Sequence, residues 1–300
     1  MDSRKNPKEW KRHGVQALWA LISNSYLAGF VQGRIYRGRL KNLCVPGLNC
    51  YSCPGAVGSC PIGALQAVMG NWNFKFAFYV AGFLIFTGAL VGRLVCGWLC
   101  PFGLIQDLLH KIPFFKKIGT FPGDKLLRKV KYVILGVFVL LLPLVWVDIL
   151  GQGSPYFCKL ICPAGTLEGG IPLVLMNETM RGALGGLYVW KNVLLLATVL
   201  LSILIYRPFC KYICPLGAIY SVFNPISLFR YRVDRESCVS CGACAKACKM
   251  QVDPVKNPNH PECIRCGVCK KVCPVKAIQV TFHGSGMRTS CAFRENMIQE

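Results

Sequence analysis

Acidic side chains are scarce in this chain: 13 Asp and Glu stand against 35 Lys and Arg in 300 residues, a net charge of +22. Charged residues of both signs make up only 16% of it, 53% is hydrophobic, and the mean hydropathy is +0.42. A soluble globular protein rarely combines such apolarity with so lopsided a charge, whereas a membrane protein with basic cytoplasmic loops does so naturally. There is no GxGxxG fingerprint, Walker loop, CxxCH haem motif or Ser-Gly-Ala-Thr flavinylation site, so any haem or flavin belongs to a partner. The four histidines, His13, His110, His260 and His283, have no ligand spacing and read as surface or interface residues. An excess of base can signal nucleic acid. Here the bases are spread through loops between apolar segments, without a reading helix or an RNA-binding signature, which argues against it.

Cysteine, by contrast, is abundant, with 19 residues. Cys238, Cys241, Cys244 and Cys248 follow a C-x2-C-x2-C-x3-C spacing, and Cys263, Cys266, Cys269 and Cys273 repeat it ahead of Pro274. This is the bacterial two-cluster ferredoxin run, in which the fourth thiolate of each motif ligates the other cubane. The expected sets are Cys238, Cys241, Cys244 with Cys273, and Cys263, Cys266, Cys269 with Cys248. Structural zinc would leave the third and fourth cysteines of each run surplus. The ligand spacings also argue against the disulfide scaffold of a small secreted protein.

Four stretches of roughly the 20 apolar residues a membrane span needs cover residues 14–31, 74–95, 132–150 and 187–206. The third tolerates Pro143 as a packed membrane helix can. The first contains Ser23 and Asn24, and the fourth has Lys191 near its start. The basic lead Arg4, Lys5, Lys8, Lys11 and Arg12 suggests an uncleaved first helix. Bases crowd the N-terminal lead, the 93–131 loop and the region after the fourth stretch, while the 151–190 loop carries only Lys159 and Arg181. The positive-inside rule then places both termini and the ferredoxin domain in the cytoplasm of a multi-pass inner-membrane protein. The predicted architecture is a mainly α membrane protein: a four-helix transmembrane bundle with a pseudo-two-fold repeat in 1–230, a small α+β ferredoxin-like domain in 231–282, and a polar tail in 283–300.

A degenerate repeat runs through the first domain. Cys60, Cys100, Cys162 and Cys214 each stand in a Cys-Pro-x-Gly, and three of these complete a C-x3-C-P with Cys96, Cys158 and Cys210. Proline in a helix's first turn loses no hydrogen bond, so each motif is expected to open a short interfacial helix. Residues 101–115 have the amphipathic pattern for it. Cys96, Cys100, Cys210 and Cys214 at matched helix ends are expected to ligate one [4Fe-4S] cluster, with Arg93 and Arg207 compensating its charge. Cys44, Cys50, Cys53, Cys60, Cys158 and Cys162 are placed on the opposite face. They suffice for one or two more clusters, with the choice of ligands open and a disulfide as the alternative for part of the set. Cys291 reads as a free thiol. Asp107 and His110 could serve quinone protonation, while Asp148 and Glu168 could be proton-linked or simply solvated helix ends. Trp146 and Trp190 suit an aromatic belt.

The sequences CGWLCPFG and CKYICPLG followed by a two-cluster ferredoxin resemble the membrane polyferredoxins of the NapH/NosR/CcoG type, over roughly residues 72–280. The resemblance implies a membrane component of four to six helices that passes electrons between a quinol pool or cytoplasmic donor and a partner reductase. The extra loop cysteines and the third C-x3-C-P depart from that pattern and suggest a relay reaching the outer surface. The expected function is therefore transmembrane electron transfer from an acidic ferredoxin or flavodoxin through [4Fe-4S] clusters to a partner redox protein in a complex. A quinol dehydrogenase subunit and an assembly or metal-reducing factor are the alternatives. Separating the two cysteine sets across a hydrocarbon core of about 30 Å would leave no ligand midway.

Overall fold

The computed structural model describes residues 9–70, 77–113, 117–146, 153–182 and 184–282. Helix α1 (Trp10–Ser23) stops at Asn24, whose side chain turns back onto the Ala20 carbonyl. The short α2 (Ala28–Gln32) follows and ends at Gly33 in the left-handed region. A Gly- and Pro-rich loop leads to α3 (Pro61–Met69), then α4 (Ala77–Val91), α5 (Leu94–Trp98) and α6 (Pro101–Leu109). Helix α7 (Asp124–Ile134) runs through a π-helical stretch, Leu135–Leu141, into α8 (Leu142–Val145). Next come α9 (Tyr156–Leu160), α10 (Pro163–Gly165), α11 (Ile171–Met176) and α12 (Glu178–Gly182). The long α13 (Gly186–Leu204) leads to α14 (Pro208–Tyr212) and α15 (Pro215–Phe223). In the C-terminal module, β1 (Phe229–Val233) pairs antiparallel with β2 (Ile278–Phe282), Tyr231 opposite Val280, and α16 (Ala243–Ala247) and α17 (Val268–Val272) lie between them in sequence.

This architecture corrects the expected four-helix transmembrane bundle. Among the described residues only α13 is both long and apolar enough to cross a membrane, and Phe78–Val91 is a shorter apolar helix. The physical reasons differ by stretch. The 14–31 stretch is broken at Asn24. Among the described residues the 74–95 stretch contains α4, whose 15 residues at 1.5 Å each rise about 22 Å. The 132–150 stretch begins inside α7, whose first turns carry Asp124, Lys125, Arg128, Lys129 and Lys131, and its end falls outside the described residues, as does Asp148.

A second correction concerns the two faces. Cys60 and Cys162 share one buried core cluster with Cys96, Cys100, Cys210 and Cys214. The chain between Cys44 and Cys60 folds down onto α6 and α15: Gly47 sits against the Cys100 backbone, and the Tyr220 hydroxyl donates to the Pro46 carbonyl at 3.0 Å. The two cysteine sets thus meet along one loop and share one core.

Candidate cluster-binding centres

Each Cys-Pro-x-Gly is a helix start with a thiol in the capping position. Cys60, Cys100, Cys162 and Cys214 are the extended N-cap residues of α3, α6, α10 and α15, with proline next. The amide three residues on, that of Gly63, Gly103, Gly165 or Gly217, donates to the cysteine sulfur, at 3.4 Å for Gly217. A helix start has unpaired N–H groups and a positive dipole end, both of which favour an anionic thiolate. Two of the four glycine positions are crowded: a Cβ on Gly217 would stand 3.3 Å from the Cys210 carbonyl, and one on Gly103 3.2 Å from that of Cys96, whereas at Gly63 and Gly165 the nearest atoms would be 3.9 and 3.7 Å away.

Four thiols, Cys96, Cys100, Cys210 and Cys214, lie within electrostatic reach of one another, and each is 5 to 7% exposed. The two arginines before them cross over. Arg93 donates to the Cys210 carbonyl at 3.1 Å and Arg207 to that of Cys96, and both are fully buried. Each has its own counter-ion, since a lone buried cation would be costly. Arg207 pairs with Asp107, which also takes Arg12 at 2.8 Å. Arg93 pairs at 2.7 Å with Glu262 of the ferredoxin module, and Lys131 takes the other carboxylate oxygen. Burial works to raise the Glu262 pKa, yet Arg93 and Lys131 hold it down at about 2. Asp107 is therefore tied into an ion network rather than offered to a quinone, and α6 buries the polar Gln106 and Asp107 while exposing Leu108.

The ferredoxin module forms two thiol-lined cavities, one bounded by Cys238, Cys241, Cys244 and Cys273, the other by Cys248, Cys263, Cys266 and Cys269. These groupings coincide with the cross-ligated sets expected from spacing. The second pocket is pressed against the first domain. Ile264 is 1% exposed within the common core, and a Cβ on Gly97 would lie 2.2 Å from the Ile264 carbonyl. Trp98 donates to the Arg265 carbonyl, and Arg265 donates to those of Val91 and Asn224.

In the remaining set, Cys50, Cys60, Cys158 and Cys162 interact with one another, Cys44 reaches Cys60, and Cys53 sits apart beside Asn24. A cavity of about 730 Å³ opens beside them, with Lys41 and Lys191 in its wall. Burial pushes Cys50 and Cys158 up to about 12, so at neutral pH iron binding must displace the protons. Lys191, an oddity within an apolar helix, donates to the Cys158 carbonyl at 2.9 Å. Glu168 accepts the Cys50 amide at 2.7 Å, and burial raises its pKa to about 7; it is not a solvated helix end. Every described cysteine is free, so no disulfide forms among them. No three described His, Cys, Asp or Glu side chains converge as ligands of a single ion; a cubane instead takes one thiolate at each of four separate irons.

Three residues missed from sequence, Gln66, Gln106 and Tyr220, stand six places after capping cysteines. Gln66 and Gln106 donate to the sulfurs of Cys158 and Cys210 at 3.3 and 3.2 Å. Glu168 and Tyr220 fill the equivalent places in the other two motifs. The recurrence of a long polar side chain at this spacing was a readable signal. His110 faces the Ser202 carbonyl, His13 contacts Arg12 and Lys111, and His260 accepts the Glu262 amide. Trp146 and Trp190 are exposed. Cys291 and His283 lie outside the described residues.

Two families of 4Fe-4S binding domain match the chain. One (Fer4_5) covers residues 72–122, 133–171 and 192–233, and the other (Fer4) covers 231–252 and 259–279. YccM of Escherichia coli (strain K12) is 32% identical over 175 residues, 56% of this chain and 44% of its own length. The methylamine utilization ferredoxin-type protein MauN of Methylorubrum extorquens is 28% identical over 63% of this chain and 59% of its own. The ferredoxin-type protein NapH of Haemophilus influenzae is 27% identical over 59% and 54%. The chain thus spans about half the length of the curated relatives it matches. No solved structure matches it. Nothing in these matches supports the quinone that the resemblance had suggested.

Proposed function

Starting from a chain that belongs to the ferredoxin-type 4Fe-4S proteins, we propose that it relays single electrons at a membrane, from a soluble donor through its ferredoxin module to the Cys96, Cys100, Cys210 and Cys214 centre and on toward the loop cysteines. The observation that carries this reading is the seam at Gly97 and Ile264, where the chain beside Cys96 touches the chain between Cys263 and Cys266. A [4Fe-4S] cubane bound to each thiol set supplies a one-electron carrier. The protein's part is to hold those sets close together. Arg93 spans the seam, bonded on one side to the Cys210 carbonyl and on the other to Glu262. Arg93 and Arg207 lower the cost of burying a negatively charged centre, and the helix-start amides donate to its sulfurs.

Donor entry fits the far pocket. Cys241 is exposed there, and Lys246 and Lys276 are exposed nearby in sequence, a surface suited to an acidic ferredoxin or flavodoxin. Attachment to the membrane rests on α13, whose leucines and valines at Val189, Val193, Leu196 and Leu200 face outward. The acceptor is proposed to be a partner redox protein.

Replacing Cys96 and Cys210 together by Ser is expected to remove about four irons, one cubane, while sparing the ferredoxin pair. Reduced donor should then still reduce the ferredoxin module, with electrons stopping there. Iron analysis and rapid-freeze spectroscopy check both halves. A wild-type chain with eight irons or fewer, or a variant whose onward transfer is undiminished, overturns the reading.

A further inference from the structure

We infer that Cys50, Cys60, Cys158 and Cys162 form a fourth [4Fe-4S] site, a quasi-symmetric copy of the Cys96, Cys100, Cys210 and Cys214 centre, and that Cys44 and Cys53 are not ligands. The inference rests on the relay reading and selects four thiols from six.

The correspondence is residue by residue. Cys60 and Cys100 cap α3 and α6, and each is followed six residues later by a glutamine, Gln66 or Gln106. Each glutamine donates to the first sulfur of the facing C-x3-C-P, Cys158 at 3.3 Å and Cys210 at 3.2 Å, and also to a carbonyl of its own helix, Ile62 or Phe102. The facing motifs share one backbone pattern: the amides of Cys162 and Cys214 donate to the Phe157 and Phe209 carbonyls at 2.9 Å. A cation serves each: Lys191 donates to the Cys158 carbonyl as Arg93 does to that of Cys210. The amide of Gly165 donates to Cys162 as that of Gly217 does to Cys214.

One position breaks the pattern in sequence and is restored in space. Where the first centre uses Cys96, four residues before Cys100, the second has no cysteine at residue 56. Cys50 takes that place. Its sulfur is 3.7 Å from where a Cβ on Gly165 would be, its charge couples to Cys60, Cys158 and Cys162, and its amide is fixed by Glu168. Cys53 instead points at the Asn24 side chain and takes the Gly55 and Ala56 amides. Cys44, though it lines the same cavity, couples among the cysteines only to Cys60 and is bridged to Ser59.

The two centres are also joined. Leu48 and Asn49 are consecutive, and the Leu48 amide donates to Cys100 while the Asn49 amide donates to Cys60. Adjacent amides of one loop thus serve both thiol sets. Tyr220, fully buried, lies within electrostatic reach of Cys96 and Cys100 and also of Cys44 and Cys60. The added step is a one-electron transfer in which the Cys96 centre is oxidised and the Cys50 centre is reduced, with no bond made or broken. The adjoining cavity of about 730 Å³ makes the Cys50 centre the exit.

Iron and acid-labile sulfide in anaerobically purified protein test the assignment. Wild-type chain should hold about sixteen of each, four cubanes. Cys50→Ser with Cys158→Ser should fall to about twelve, whereas Cys44→Ser with Cys53→Ser should keep the full complement. A wild-type content of about twelve overturns the fourth site and leaves the relay intact, while eight or fewer overturns the relay itself. Loss of about four irons from the Cys44 and Cys53 variant overturns the choice of ligands, whether or not the other variant folds.

Discussion

Changing Asp107 to Asn is expected to lower the unfolding temperature of the anaerobic protein by about 10 °C. Asp107 is 3% exposed and lies between two guanidiniums, Arg207, which is 0% exposed and has no other carboxylate partner among the described residues, and Arg12, which is 1% exposed and also pairs with Glu9 at 3.1 Å. Burial opposes ionisation of Asp107, but Arg207 beside it holds the carboxyl well below the usual carboxylate range. Removing one partner of a buried pair costs about 3–5 kcal/mol because the remaining charge stays desolvated. At about 2–4 °C per kcal/mol for a chain of this size class, the shift is easily read by calorimetry or circular dichroism. The damage should spread in two directions. Arg12 anchors α1 to the Gly97 carbonyl at 3.1 Å, and Arg207 holds the Cys96 carbonyl. A shift below about 2 °C, under 1 kcal/mol on the same scale, would mean that water satisfies both arginines and that the network is not what fixes this corner.

Gly97→Ala carries the second large effect, and it falls on the seam between the two domains. The new methyl would begin 2.2 Å from the Ile264 carbonyl oxygen, a backbone atom that cannot rotate away. Ile264 lies in the loop bearing Cys263 and Cys266, and that loop is held to the first domain by Arg265, Trp98 and Asn224. Overpacking of this kind costs about 1–3 kcal/mol, and the chain can relieve it by opening the seam. The variant is expected to keep all of its iron yet to lose rapid reoxidation of the ferredoxin module by the Cys96, Cys100, Cys210 and Cys214 centre, seen as a slow phase in stopped-flow absorbance. Unaltered transfer rates in a fully folded Gly97→Ala protein would sever the link between this contact and electron flow.

Much of the chemistry was legible in the chain. The C-x2-C-x2-C-x3-C runs imply a cross-pairing, because a loop that wraps three thiols round a cubane leaves its last cysteine for the neighbour, and the two cavities group the eight thiols in the same way. The Cys-Pro-x-Gly repeats likewise reveal helix starts, since proline tolerates the first turn and an amide must find the thiol. Hydropathy was less informative. It marked 14–31 as one stretch, but Asn24 satisfies the helix end with its own side chain, a local hydrogen bond that hydropathy does not record. Lys191 is a cation inside an apolar helix, and its partner, the Cys158 carbonyl, lies 33 residues away in sequence. Placement of the loop cysteines failed for a related reason. Charge counting assigns segments to sides of a membrane, and the contact of Gly47 with Cys100 depends on close backbone packing that no charge records. The glutamines at 66 and 106 were readable as a repeat, and their role became plain only with a sulfur opposite each.

Electron paramagnetic resonance of the wild-type protein during stepwise anaerobic reduction bears most directly on the central claim, that the thiol sets lie side by side along one path. Neighbouring reduced cubanes broaden and split one another's signals, and the effect dies away steeply with separation. The expected result is a sum of simple signals at low reduction that gives way to a coupled, broadened spectrum as adjacent centres fill, with the coupling reduced in Cys96→Ser/Cys210→Ser. A fully reduced spectrum that is only the two-cluster ferredoxin signal, unchanged by those substitutions, would contradict it.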